Sequence, residues 1–304
     1  MDYLLLQMLN GVQLGLLMFL LAAGLTLTFG IMDLVNLAHG SLYMMGAYIA
    51  WTLIGWTDSF VLGALLALPA TFLLGIVVEA VVARRLYVRD HLDQVLATFG
   101  LILFFNELVR VIWGPAGKSI AVPAFLNRTV EILPGVPYPA YRFAIIVVGA
   151  LVAILLAWLV ARTRIGMLIR AGASNRRMIG ALGVNIELLF TLVFGLGAAF
   201  AGLAGLMAAP ITSVKIGMGD DILILAFVII VIGGIGSIKG AFVAAMVVGQ
   251  IDIVGRAFLP DLLKTFLSAS AAASAAPAIS QVLIYIVMAG VLVWRPTGLF
   301  GQRT

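Results

Sequence analysis

The sequence predicts an all-α protein, a polytopic membrane helix bundle of about eight to nine spans with broken helices. Three observations carry that prediction. The 304-residue chain is 63% hydrophobic and only 10% charged, whereas a soluble domain carries about 25% charged residues. Apolar stretches recur along its whole length, and its mean hydropathy is +1.20. It holds 33 glycines, which suits helices whose backbones approach closely in lipid.

A bilayer core of ~30 Å is crossed by about 20 apolar residues in a helix. Nine stretches qualify as candidates: 4–29, 31–54, 60–83, 94–113, 143–161, 188–210, 222–236, 241–259 and 278–294. Met1-Asp2-Tyr3 lacks the basic start of a cleaved signal, so the 26-residue run that follows reads as a true span. The stretches 31–54 and 222–236 are interrupted by glycine and polar residues, and each reads as a broken helix or a re-entrant segment. Lys and Arg in short loops favour the inner side. With the N-terminus outside and the C-terminus cytoplasmic, eleven basic residues fall inside and six outside. The loops 84–90 and 162–177 contribute most of that bias.

The chain reads as one transmembrane domain, 1–304, with an outer loop 114–142 rich in Pro and Gly and a basic inner loop 162–187. The Ala/Ser-rich stretch 268–280 reads either as a helical extension or as an outer loop. "GAYIA" (46–50) weakly echoes "GAFVA" (240–244), each after a Gly-Ser pair; repeated halves are common in transporters. Along 188–210, Ala201, Gly205 and Ala209 recur every four residues beside Ala198 and Gly202. That ridge of small side chains suits tight packing against a neighbouring helix.

Much chemistry is excluded. With no cysteine there is no disulfide and no thiolate metal site. No GxxxxGK[ST] phosphate loop and no metal-ligand cluster occurs, so no catalytic residue, metal or cofactor is expected. "GGIGS" (233–237) reads as a helix break or a close backbone contact. The net charge of +5 is topological and gives no reason to expect nucleic acid. Glu107 with Arg110, and Asp252 with Arg256, are spaced to pair on one helix face. Glu79 reads as a snorkelling or interfacial partner of Arg84 and Arg85. Gln7, Asn10 and Gln13 share one broad side of the first helix, facing a pathway or hydrogen-bonding to another helix. No isolated carboxylate stands in mid-span, which argues against coupling to protons or sodium.

The inner segment "RTRIGMLIRAGASNRRMIGALGVNIELL" (162–189) reads as a turn at Gly166 followed by a short helix from about Ala173 to Leu182. Ser174 or Asn175 can cap its start, and Gly183 can end it. Met178, Ile179 and Leu182 form an apolar face, with Arg176 and Arg177 flanking the other side. Such a helix can lie in a groove of another protein or on anionic lipid.

This loop, followed by "FGLGAAFAGLAG" (194–205), resembles the coupling segment of the branched-chain amino acid family of ABC transporter permeases. So do "GLTLTFGIMDLVNLAHGSLYMMGAY" (24–48), "VIIVIGGIGSIKGA" (228–241) and "WRPTGLFG" (294–301), in the family's order. The resemblance implies the fold of an ABC importer permease in a bacterial inner membrane and a subunit that is not itself an enzyme. Its partners would be a second related permease subunit, two cytoplasmic ATP-binding subunits and a periplasmic or extracellular binding protein, beside membrane lipid. Ser174, Asn175, Arg176, Arg177, Met178, Ile179, Leu182 and Gly183 would form the ATPase coupling element. The cargo expected is a branched-chain amino acid; urea, amides and other amino acids are the alternatives within the same architecture. An ion-coupled secondary transporter or channel is the rival of another class.

Within "DLVNLAHGSLYMMGAYIAW" (33–51), Asn36, His39, Gly40, Ser41 and Tyr43 are the candidate substrate pathway. Irregular backbone in lipid is tolerated only where it is buried in protein or lines a cavity. His39 reads either as a neutral hydrogen-bonding residue holding a helix break or as a proton carrier. Asp33 is expected at the inner boundary, capping the next helix.

Overall fold

A computed structural model describes residues 2–133 and 135–301, apart from the side chains of Leu133, Arg176 and Arg177. The elements run α1 (Asp2–Met32), α2 (His39–Thr57), α3 (Phe60–Val78), a π-helical turn (Glu79–Ala83), α4 (Arg84–Leu86) and α5 (His91–Trp113). A 3₁₀ turn (Ala124–Leu126) and the strands β1 (Thr129–Leu133) and β2 (Val136–Pro139) precede α6 (Ala140–Arg162). Then come α7 (Arg164–Ser174), α8 (Arg176–Ala181), α9 (Ile186–Ala208), α10 (Met218–Gly233), α11 (Ile238–Leu263) and α12 (Ala269–Trp294).

Among the described residues, seven helices are long and apolar enough to cross a membrane: 2–32, 60–86, 91–113, 140–162, 186–208, 238–263 and 269–294. The two stretches that read as interrupted are the ones outside this set. They form α2 and the 16-residue α10. A helix satisfies its own backbone groups in hydrocarbon, which is why apolar runs fold this way. Leu65, Leu73, Phe99, Leu103, Leu151 and Ile154 are exposed on the outer faces of α3, α5 and α6, a surface that suits lipid and not water.

The chain divides into two compact units. One comprises Met1–Phe19, Val122–Leu151 and Val228–Thr304; the other comprises Leu20–Ala121 and Val152–Phe227.

In the first unit α11 packs on α12. The Ala/Ser-rich stretch is helical: Ser268 accepts a hydrogen bond from Ala271 N at 3.4 Å and opens α12. Ala272, Ala276, Ser280 and Ile284 are its buried stripe, so the low-complexity composition is a packing face. The end of α10 and the C-terminal segment are joined by backbone bonds. Leu299 N donates to Ile232 O and Phe300 N to Gly233 O, both at 2.9 Å. These bonds satisfy carbonyls that a helix end leaves open. "GGIGS" is therefore a helix break, with Gly234 and Gly236 at φ +98° and +80°. Ser237 then caps α11 through Gly240 N at 3.1 Å. The echo of Gly40-Ser41 is not matched in local geometry, because Ser41 lies inside α2 and Ser237 precedes α11.

The proline-rich segment 114–142 contains a β-hairpin that the sequence reading did not foresee. Thr129 pairs with Pro139 and Val130 with Tyr138, and Gly135 makes the turn at φ +83°. Asn10 Oδ1 ties this hairpin to α1, accepting from Tyr138 OH (3.1 Å) and Arg142 Nη1 (2.7 Å). Gln7 Oε1 accepts from Asn10 Nδ2 at 3.2 Å. Asn10 is thus an interhelical hydrogen-bonding residue. Burial pushes the Tyr138 hydroxyl up to about 12, against a smaller opposite pull from Arg142, so it stays a donor.

In the second unit α2, α3 and α9 pack on one another. Small residues permit this. A Cβ on Gly46 would overlap the Gly202 backbone, and one on Gly75 would overlap Ala198. Ala198, Ala201, Gly202 and Gly205 are all buried. The predicted ridge on α9 therefore meets α2 and α3 of the same chain. The expected pairs also form: Arg110 to Glu107 at 2.6 Å in this unit and, in the first unit, Arg256 Nη2 to Asp252 at 2.8 Å.

Candidate functional site

The polar stretch 33–51 begins where α1 stops. Asp33 adopts φ +52°, a left-handed conformation that Asp tolerates better than most residues, and its N–H still bonds to Phe29 O at 3.0 Å. Asp33 thus ends α1. The expectation that it caps the next helix is overturned: the N-cap position of α2 is Ala38, which has no side-chain cap. Residues 33–38 are irregular between the two helices.

Two side chains of α5 pin this irregular segment. Val35 N donates to Gln94 Oε1 at 3.0 Å, and Thr98 Oγ1 donates to Val35 O at 3.4 Å. Gln94 Nε2 in turn donates to Leu86 O and Arg89 O at 3.3 and 3.2 Å. Backbone groups of an irregular segment must find such bonds outside a helix or sheet. Gln94 and Thr98 were not singled out from the sequence. Their partner lies some sixty positions away, beyond any local pattern.

Asn36, His39 and Ser41 are buried to within 1% of full enclosure, and Tyr43 is 6% exposed. His39 Nε2 lies 3.1 Å from Leu21 O on α1. The carbonyl is an acceptor only, so Nε2 carries the proton. A Cβ on Gly24 would come within 2.8 Å of that nitrogen, so the glycine makes room for the ring. Asn36 Nδ2, His39 Nδ1 and Ser41 Oγ have no hydrogen-bond partner among the described residues. Leaving a buried polar atom unpaired costs about 1–3 kcal/mol. Three such atoms fall within six residues at the entry of α2. Gly40 abuts Gly219 backbone to backbone, bringing the start of α2 against the start of α10. There Asp220 Oδ2 accepts from Asn106 Nδ2 at 3.3 Å, and Asn106 Oδ1 is a further buried atom without a partner. Asn106 and Asp220 are a second pair the sequence reading missed, because their partnership spans 114 positions.

The segment 162–187 folds as two helices, not one. Thr163 caps α7 by accepting from Gly166 N at 3.1 Å. Gly166 is therefore no turn residue; it lies in the first turn of α7, where a Cβ would overlap the carbonyls of Leu159 and Val160. Ala173 and Ser174 complete α7, and α8 starts three residues later than expected. Asn175 is its cap, accepting from Met178 N at 3.0 Å. Gly183 at φ +85° ends it, with Gly183 N bonded to Gly180 O and Val184 N to Ile179 O. The anticipated apolar face splits. Ile179 is buried, while Met178 and Leu182 are 59% and 75% exposed. The side chains of Arg176 and Arg177 lie outside the described residues. Two residues after Gly183, Asn185 caps α9 by accepting from Leu188 N at 3.0 Å.

Both ends of this unit are defined by contacts. Arg84 meets Glu187 at 3.6 Å at one end. At the other, Lys118 and Val214 exchange backbone bonds of 2.8 Å, and Trp113 Nε1 donates to Thr52 at 2.8 Å. Among the described residues no group of three or more acidic or histidine side chains could hold a metal ion.

Comparison with known proteins matches residues 7–292 to the family described as branched-chain amino acid transport system / permease component. The high-affinity branched-chain amino acid transport system permease protein BraD of Pseudomonas aeruginosa is 30% identical, over 97% of this chain and 95% of its own. The corresponding LivH protein of Salmonella typhimurium is 28% identical, over 99% and 96%. A probable branched-chain amino acid transport permease protein LivH of Methanocaldococcus jannaschii is 27% identical, over 94% and 89%. No solved structure gives a significant match. Its helices make this a multi-pass membrane protein of all-α class, and the chain belongs to the branched-chain amino acid permease family of ABC transport systems.

Proposed function

We propose that this chain is one membrane subunit of an ATP-driven importer that carries branched-chain amino acids through the region around Asn36, His39, Gly40, Ser41 and Tyr43. The observation that carries the reading is the trio of buried, unpartnered polar atoms at the break between α1 and α2. A permease needs a weak, transient polar path, and such atoms supply one without a deep binding well. The apolar surroundings, Leu42, Met44 and Met45 among them, suit an aliphatic side chain. Like named relatives support the cargo class.

Energy comes from elsewhere in the assembly. The partners are a second related permease subunit, two cytoplasmic ATP-binding subunits and an outer binding protein. Met178 and Leu182 project from α8 beside the buried anchor Ile179, a pattern suited to a groove in an ATP-binding subunit. ATP binding moves α8, and the membrane subunits rock between outward and inward states. The whole chain acts as one permease domain, with 162–187 inside and 114–142 outside. Two basic segments, 84–90 and the loop before α9, share one end of the second unit through Arg84 and Glu187, which supports a common inner side. The N-terminus is then outside and the C-terminus cytoplasmic, in a bacterial inner membrane.

Transport assays in proteoliposomes holding the full complex, given leucine, isoleucine, valine, urea and acetamide in turn, test the cargo. Saturable uptake of the three amino acids, with urea and acetamide at background, is expected. Preferential uptake of urea or acetamide would move the chain to the amide-carrying branch of the same architecture.

A further inference from the structure

Glu79 is fully buried, at the point where α3 passes into the π-helical turn. A buried carboxylate must be paired and hydrogen-bonded; the expected pairing with Arg84 forms, and full burial in a closed network takes the place of snorkelling. Arg84 donates to it twice, from Nε at 3.3 Å and Nη2 at 3.0 Å. Thr191 Oγ1 donates to Oε2 at 2.8 Å, and Tyr87 OH donates to Oε1 at 3.1 Å. The π turn explains how Arg84 gets there. In a regular α-helix a residue five positions on lies about 140° around the axis. The wider turn brings it back over Glu79.

The partners come from three places that matter to transport. Thr191 and Phe190 are in the second turn of α9, directly after the coupling segment. Arg84 reaches that helix twice, at Thr191 (2.9 Å) and at Glu187 (3.6 Å). The Tyr87 ring packs edge to face on Phe190 at 5.1 Å. The Tyr87 hydroxyl also lies 3.6 Å from Sδ of Met32, the last residue of α1 before the irregular segment. Between α8 and α9 only Leu182 to Asn185 intervene, and caps fix both sides. A shift of α8 is therefore delivered to the first turns of α9 with little slack.

We propose that Glu79 is a positioning residue: its network with Arg84, Tyr87 and Thr191 conveys movement of the coupling segment to the broken segment between α1 and α2. The proposal rests on the ATP-driven reading above. A residue that merely held the fold together would lower all activities in step with the amount of assembled complex. A transmitting residue changes how much ATP is hydrolysed for each molecule moved.

The test uses the complete complex in proteoliposomes, with leucine and its binding protein, and reads ATP hydrolysed per leucine imported. Thr191→Val removes the hydroxyl and keeps the shape; Glu79→Gln removes the charge. In Thr191→Val, uptake is expected to fall about tenfold, the equivalent of one charge-assisted hydrogen bond, while stimulated ATP hydrolysis stays within about twofold of wild type. Thr191→Ser is expected to restore the wild-type ratio. If Glu79→Gln does not assemble, Thr191→Val decides. A wild-type ratio in Thr191→Val, or uptake and hydrolysis falling together, overturns the junction alone. A wild-type complex without ATP-dependent uptake overturns the transport reading and the junction with it.

Discussion

His39 is held from one side only. Its Nε2 proton is committed to Leu21 O, and its Nδ1 faces no partner among the described residues. Asn36 and Ser41 share that state. If these atoms meet the cargo, His39→Ala removes an acceptor from the path and leaves α8 untouched. Uptake is expected to drop about tenfold, as for the loss of one hydrogen bond, with the ATP-binding subunits still co-purifying at wild-type ratio. Wild-type uptake in that variant would return the segment to a structural hinge. The polarity of 33–41 was legible in the sequence because it interrupts an apolar run. What holds it was not. Gln94 and Thr98 reach Val35 across the fold, and single polar residues in an apolar helix give no sign of their partners. Asp33 shows the same limit: its residue type suits both a helix stop and a helix cap, and only the backbone angle separates them.

At the scale of elements, local chemistry was readable where it is local. Asn175 and Gly183 bracket α8 as their side chain and lack of one dictate. The start of that helix was misplaced because α7 precedes it, and Ala173 and Ser174 are as good at ending one helix as at beginning another. A six-residue helix is marginal on its own, so its cap matters. Replacing Asn175 by Ala costs about 1 kcal/mol of helix stability, roughly a fivefold shift in the folded fraction. Asn175→Ala is expected to cut binding-protein-stimulated ATP hydrolysis several-fold, with the amount of protein in the membrane unchanged, and Asn175→Asp to keep it. Equal hydrolysis in both variants would mean that α8 does not need its helical form for coupling. The doubtful spans were doubtful for a physical reason. α2 carries Asn36 and His39 at its entry, and α10 is cut short by consecutive glycines. Neither signal says whether a helix crosses or stops within the bundle. The Ala/Ser stretch of α12 shows the converse, since small side chains suit a loop and a close helix contact equally, and the stripe Ala272, Ala276, Ser280 decides for contact.

For the molecule as a whole, composition alone pointed to lipid as the solvent, and the order of the motifs pointed to the family. The division into two compact units was not legible, because each unit gathers segments from distant parts of the sequence. The central claim is that this permease moves its cargo at the expense of ATP hydrolysed by partner subunits. The direct measurement is leucine uptake into proteoliposomes containing the full complex, with and without the ATP-binding subunits and with and without a protonophore. Uptake is predicted to require the ATP-binding subunits, ATP and the binding protein, and to be indifferent to the protonophore. Uptake that survives removal of the ATP-binding subunits and collapses with the protonophore would contradict the account.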